Sequence, residues 1–309
     1  MANISAAAIK ELREKTNVGM MECKKALTEA DGDMEKAIVI LRERGIAVAA
    51  KKAGRIAAEG LVCPFIAEDG TAVIIEVNCE TDFAAKNNVF GSFVKDLAKI
   101  VAEKNPADVD ALLELEYSDG ISVGAEVQNK VLTIGENIKI RRFVRFAPEK
   151  GIVPIMYNHH LAGKIGVIVR LAVSEGLENN EAVLAYGKNV CMNVAAYSPE
   201  FVNRDAVPAE RVEAEKEILK AQVMNEGKPE KIAEKIVAGR LGKFYEQVCC
   251  VDQAYILDMT MSVGAAGKLV EKEVGGSISV LDFVRFECGE GMEKKADDFA
   301  EEVARMAGK

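Results

Sequence analysis

The chain has 309 residues, and its 49 acidic and 40 basic side chains give a net charge of −9 at pH 7. The length suits two or more compact units, and the negative charge argues against direct nucleic-acid binding, which needs a basic surface to meet phosphate. Seven cysteines without a C-x-x-C pair and only two histidines argue against a metal site. No apolar run approaches the roughly 20 residues of a membrane helix, and the first residues do not form a secretory signal, so we expect a cytoplasmic protein.

Residues 1–48 predict a bundle of three short helices. Ser5 can cap the first helix, the Gly-Asp pair at 32–33 separates the second from the third, and Gly45 suits the end of the third. Residues 49–60 are rich in alanine and lysine and predict a linker into the rest of the chain.

A strand-to-helix corner follows the linker. Residues 72–77 suit a buried strand, which stops at a polar cluster before helix-forming residues begin. Thr81 or Asp82 can cap the helix, which places Phe83 in its first turn beside the strand exit. An isolated phenylalanine there would ordinarily pack on its own sheet, but an exposed one could be inserted into a partner as a wedge.

The middle of the chain contains an internal repeat. Phe-Val-Arg-Phe occurs at 143–146 and again at 283–286, and each copy closes a similar series of strand, strand, helix and strand. We therefore predict an α+β fold with two related core subdomains, one at 61–147 and the other at 148–207 together with 249–290.

Two helical additions accompany these subdomains. Residues 208–248 predict an inserted helical hairpin, which is either a projecting coiled-coil arm or a packed core hairpin; its charge favours the arm. Residues 291–309 predict a C-terminal amphipathic helix that could pack on the core or contact a partner.

Two motifs suggest chemistry that the sequence does not support. The run Gly-Ala-Ala-Gly-Lys at 264–268 resembles a phosphate loop, but Ser262 and Leu269 stand where that motif needs glycine and serine or threonine, so it predicts a helix start. His159 and His160 could act as a base or as metal ligands, but no suitable nucleophile or further ligands accompany them, which favours a turn.

Several motifs together resemble the bacterial elongation factor Ts family, whose members release GDP from elongation factor Tu. The Thr-Asp-Phe sequence at 81–83 is similar to the hallmark of that family. Similar blocks occur in the family's order at 11–16, 19–27, 49–60, 134–142 and 227–240. The resemblance implies that the N-terminal bundle has a ubiquitin-associated-like fold. It also implies a guanine nucleotide exchange factor in protein biosynthesis that needs no cofactor and no catalytic residues of its own.

The resemblance also implies which residues contact elongation factor Tu in its GDP-bound and nucleotide-free states. The segment expected to displace magnesium from the partner comprises Thr81, Asp82, Phe83 and Ala84. The other expected contacts are Arg13, Met20, Met21, Ile134, His159, Ile256 and Leu257. At least one of the adjacent methionines should be exposed, because both cannot face inward at one helix start. Taken one at a time, Ile134, Ile256 and Leu257 could each be an ordinary core residue about as readily as a partner contact.

The sequence is compatible with two other functions. One is an interaction scaffold of the same fold without exchange activity, and the other is an enzyme that uses one of the two histidines with a carboxylate. The sequence is also compatible with a homodimer. It offers no sign of direct contact with nucleic acid or a membrane.

Overall fold

The computed structural model describes residues 4–16, 18–118, 120–159, 163–227 and 229–293. The helices are α1 (Ala6–Thr16), α2 (Met20–Glu29), α3 (Met34–Lys52), α4 (Asp82–Ala85), α5 (Asn88–Lys104), α6 (Val109–Glu114), α7 (Val123–Ile134), α8 (Glu181–Tyr197), α9 (Ala209–Asn225), α10 (Glu230–Val248) and α11 (Val263–Val274). The strands are β1 (Glu59–Ile66), β2 (Ala72–Cys79), β3 (Glu116–Ser118), β4 (Ile121–Ser122), β5 (Lys139–Phe146), β6 (Ile152–Asn158), β7 (Ile165–Val173), β8 (Ala254–Tyr255), β9 (Asp258–Ser262) and β10 (Ile278–Glu287).

The predicted α+β class is confirmed. One three-stranded sheet has the order β1-β2-β5 and the other has the order β6-β7-β10, so equivalent strands occupy equivalent places in both. The repeated tetrapeptide lies on the last strand of each sheet, β5 and β10. In the second sheet, β6 and β7 are antiparallel, with Ile155 opposite Val169.

The repeat extends to the helices. Both α5 and α8 have 17 residues; Asn87 and Asn180 cap their first turns, and both helices end at a left-handed residue. Both α7 and α11 follow a short two-stranded sheet, begin after a serine cap at Ser122 and Ser262, and end at a left-handed glycine. The start of α11 at Val263 confirms that the run at 264–268 is the beginning of a helix.

Three helices form the N-terminal region. Their buried face includes Leu12, Leu27 and Leu41, none of which is more than 2% exposed. The predicted helix end at Gly45 is wrong, because α3 continues through that residue to Lys52 and into the segment expected as linker. Gly45 is instead buried against α7: a Cβ there would lie 3.5 Å from the carbonyl oxygen of Gln128, which is ordinary van der Waals contact.

The chain divides into two compact units. The first comprises the described parts of Met1–Cys63, Ile75–Phe143 and Glu287–Lys309, and the second comprises those of Pro64–Ile74 and Val144–Phe286. The domain boundaries expected from the sequence stay a prediction.

A buried ionic cluster lies in the first unit. Glu76 on β2 is fully buried, and its carboxylate accepts hydrogen bonds from Arg141 (2.9 Å), Arg142 (2.7 Å) and the N–H of Gly289 (2.8 Å). Burial alone would raise the pKa of Glu76, but these hydrogen bonds and that from Asn78 outweigh it and hold the pKa below its usual value. The cluster therefore stabilises the fold while Glu76 is ionised.

The hairpin of α9 and α10 has a buried base in the second unit. Phe244 and Val248 near the end of α10 are buried in a cluster with Val207 and Cys249. Further out, Leu219 and Val223 of α9 are buried as well. The outer part of the hairpin thus has an apolar face of its own.

Two predicted features lie outside the described residues. They are His160 and nearly all of the C-terminal segment 291–309, including its expected apolar face. Within the described part of the chain, no helix is both long enough and apolar enough to cross a bilayer.

Candidate partner-binding site

The corner between β2 and α4 presents Phe83 to solvent. All eight residues of β2 are buried, and the strand ends at Cys79, just before the corner. Thr81 is the residue that caps α4, because its hydroxyl accepts the N–H of Ala84 at 3.2 Å. The first turn then places Phe83 outward, 82% exposed, whereas Ala84 faces inward and is 5% exposed. The alternative, in which Phe83 packs on its own sheet, is therefore not what the structure shows.

An ion pair accompanies the exposed ring. Lys86 donates to the Asp82 carboxylate at 2.6 Å, and this hydrogen bond is the main reason why the pKa of Asp82 lies below its ordinary value. The Lys86 ammonium also lies 5.9 Å from the centroid of the Phe83 ring. A partner that recruits the Asp82 carboxylate must therefore compete with Lys86.

A groove in the first unit contains two more of the predicted contacts. Its cavity has a volume of about 670 Å³. The lining residues are Lys10, Arg13, Glu14, Val18, Gly19, Met20, Val89 and Thr133. Met20 and Met21 are 51% and 67% exposed, so both side chains, and not just one, are available at the surface. Ile134 follows Thr133 at the end of α7 and is half-buried.

A groove in the second unit joins two predicted contacts that are distant in sequence. Its cavity of about 420 Å³ is lined by Tyr157, His159, Ile165, Met192, Ala195, Ala196, Ile256 and Arg285. The Tyr157 hydroxyl lies 2.8 Å from His159 Nδ1 and orients the ring. Leu257, next to Ile256, is 65% exposed. Sequence reasoning missed Met192 and Arg285, which are brought into this groove by α8 and β10.

The described residues offer little for covalent or metal chemistry. Among them, no group of three or more His, Cys, Asp or Glu side chains is placed to hold a metal ion. All seven cysteines are free, and burial raises the pKa of the Cys63 thiol to about 11 and that of Cys79 to about 12. These thiols are therefore poor nucleophiles at neutral pH.

Exposed apolar side chains beside surface grooves are features typical of a protein that binds another protein. Comparison with known proteins identifies which kind. The family model described as Elongation factor TS matches residues 80–290. The chain is 48% identical over 304 residues to elongation factor Ts of Syntrophotalea carbinolica, which covers 98% of this chain and 99% of that relative.

Two clostridial relatives agree with this assignment. The chain is 49% identical over 306 residues to elongation factor Ts of Clostridium kluyveri, which covers 98% of both chains. It is 49% identical over 309 residues to elongation factor Ts of Clostridium perfringens, with 99% of this chain and 100% of that relative covered. The chain therefore belongs to the elongation factor Ts family of translation elongation factors.

Proposed function

We propose that this chain is a guanine nucleotide exchange factor that binds elongation factor Tu and promotes the release of GDP in the cytoplasm. The observation that carries the proposal is the 82% exposure of Phe83 beside Asp82, on a short helix that a threonine cap fixes to a buried strand. An exposed aromatic ring contributes little to the free fold. Its burial in a partner would contribute to binding.

The mechanism requires only differential binding. A chain that binds the nucleotide-free partner more tightly than the GDP-bound one must, by reciprocity, weaken GDP binding by the same factor. Asp82 and Phe83, held by Thr81 and Ala84, would enter beside the partner's magnesium site. Displacing the ion would remove the positive charge that neutralises the diphosphate, so GDP would leave and GTP could bind.

The other predicted contacts would hold the partner during this step. Arg13, Met20 and Met21 lie on an exposed surface of the first unit, with Ile134 at the end of a neighbouring helix. His159, Ile256 and Leu257 form an apolar and aromatic surface on the second unit. Methionine and aromatic side chains suit such contacts because they are large and adaptable.

Mixing the chain with elongation factor Tu that carries fluorescent GDP tests the proposal. We expect the rate of fluorescence loss to rise with chain concentration and to saturate. Binding without faster release would favour the scaffold function. An enzyme would instead turn over a substrate without any GTPase. No carboxylate is among the described residues that line the His159 groove, which disfavours a histidine-carboxylate pair there.

A further inference from the structure

The side chain of Glu136 binds the corner that carries Phe83. Glu136 Oε2 accepts the N–H groups of Glu80 at 3.0 Å and of Thr81 at 2.9 Å, and Oε1 accepts the Thr81 hydroxyl at 2.5 Å. One carboxylate thus receives three hydrogen bonds from two consecutive residues. Hydrogen bonds to an ionised acceptor are stronger than neutral ones, so this contact fixes the strand exit.

A second contact runs in the opposite direction between the same segments. Glu80 Oε1 accepts the N–H of Asn137 at 2.7 Å. The Asn137 side chain is buried and donates to the carbonyl oxygen of Arg55 at 2.8 Å. Each segment therefore binds the other's backbone, and Asn137 anchors the pair to the chain before β1. We call the contacts of Glu136 with residues 80 and 81 the corner clamp.

The corner clamp acts on the helix cap itself. The Thr81 hydroxyl donates its hydrogen to Glu136 and accepts the N–H of Ala84. With its hydrogen committed to Glu136, the hydroxyl turns a lone pair towards the first turn of α4. This helix has only four residues and is far too short to form by itself in water. The helix therefore depends on contacts with its surroundings, and the clamp supplies one of them at its first turn.

The second repeat of the fold lacks the clamp. The sequence Ser-Val-Gly-Ala stands at 122–125 and 262–265, equally far before each Phe-Val-Arg-Phe, so Glu136 and Asn137 correspond to Gly276 and Ser277. The N–H of Ser277 donates to Ser174 Oγ at 2.9 Å, just as that of Asn137 donates to Glu80.

At the position of Glu136, however, the second repeat has a glycine. A Cβ added to Gly276 would lie 2.7 Å from Leu177 Cδ1, so a side chain does not fit there without a shift of its neighbour. The carboxylate therefore occurs only in the repeat that carries Asp82 and Phe83.

We propose that Glu136 is a positioning residue that holds the Phe83 corner in its binding geometry before the partner arrives. The effect on exchange rests on the proposed function, whereas the effect on the free chain does not. Without the clamp, the competent geometry would be populated only part of the time. Apparent affinity would fall by that fraction.

The free chain allows a direct test of the clamp. The sequence contains no tryptophan, so Phe83→Trp places a single indole at the corner. In this background, Glu136→Ala should add fast local motion to the anisotropy decay. Glu136→Gln should restore much of the order, because its amide oxygen can still accept the two N–H groups. Glu271→Ala is the matched control, since Glu271 accepts the Ile278 N–H at 2.9 Å in the second repeat, and it should leave the decay unchanged.

Exchange kinetics supply the second measurement, made with Phe83 in place. Glu136→Ala should raise the chain concentration for half-maximal GDP release about five- to tenfold, as expected if the competent geometry is populated a tenth to a fifth of the time. The maximal rate should change little, and the melting temperature should show that the variant is folded.

Unchanged anisotropy in Glu136→Ala would overturn the proposal. If Phe83→Ala slows exchange, the proposal would also be overturned by a Glu136→Ala variant whose anisotropy decays faster but whose concentration for half-maximal GDP release is unchanged. If Phe83→Ala itself leaves exchange intact, the proposed function fails instead, and the anisotropy alone decides whether Glu136 orders the corner.

Discussion

Removing the Phe83 ring separates a binding role from a folding role. Phe83 is 82% exposed, so its truncation to alanine leaves no cavity in the core. Truncating a buried phenylalanine costs about 3–5 kcal/mol, whereas surface substitutions usually stay within about 0.5 kcal/mol. We therefore expect the melting temperature of Phe83→Ala to lie within a few degrees of that of the parent chain.

The same substitution should slow GDP release strongly. An aromatic residue at the centre of an interface commonly contributes about 2 kcal/mol or more to binding. If the transition state for GDP release loses that much stabilisation, the rate falls about 30-fold. Stopped-flow release of fluorescent GDP from elongation factor Tu at saturating chain measures this rate. Asp82→Ala should act in the same direction but more mildly, because part of its charge is already engaged by Lys86.

Two control variants make the result interpretable. Phe90 is fully buried, so Phe90→Ala should lose about 3–5 kcal/mol of stability. Leu269 on α11 is 53% exposed and lies outside the proposed contacts, so Leu269→Ala should change neither stability nor release. The reasoning is refuted if Phe83→Ala unfolds the chain as Phe90→Ala does, or if it leaves GDP release untouched.

The remaining predictions concern three other regions. Changing Met20 and Met21 together to alanine should weaken exchange while the melting temperature stays near that of the parent, because both side chains are more than half exposed; equal losses of stability and activity would make them packing residues. Replacing residues 213–240 with a short turn should leave a folded chain that still binds elongation factor Tu, because the buried base of the hairpin is kept. Circular dichroism and a binding titration check this prediction, and collapse of the fold would contradict it. The pKa of Glu76 is lower in the folded chain than its ordinary value of about 4.5. Its contribution to stability is therefore present above about pH 4.5 and is lost as the pH falls through the pKa of the folded state. Urea unfolding should therefore show that Glu76→Gln is less stable than the parent at pH 7 and loses less stability on acidification.

Local patterns in the sequence were sufficient to predict the corner. An apolar run for β2, a capping threonine and helix-forming residues after it are short-range signals, and the structure places Thr81 as the cap. Gly45 shows the limit of such signals. A glycine near the end of an apolar period indicates a helix end, but here Gly45 is buried inside a longer helix that packs against α7.

The role of Glu136 could not be predicted from local patterns. Its carboxylate meets residues more than 50 positions away in the sequence, and nothing near Glu136 reveals that contact. A signal was nevertheless available in the repeat. Aligning both copies on Ser-Val-Gly-Ala as well as on Phe-Val-Arg-Phe places a glutamate opposite Gly276, and an ionisable side chain opposite a glycine marks a difference between two otherwise similar corners.

The two corners also differ in where their apolar side chain lies. In the second repeat, Leu177 follows β7, packs against the apolar core of its unit and covers Gly276. In the first repeat, the position of that glycine is taken by Glu136, whose carboxylate binds the backbone, and Phe83 faces solvent. Because one fold accommodates both arrangements, the fold does not force Phe83 outward. Its exposure follows from the residues of this corner, and an exposed ring is what the proposed contact with a partner requires.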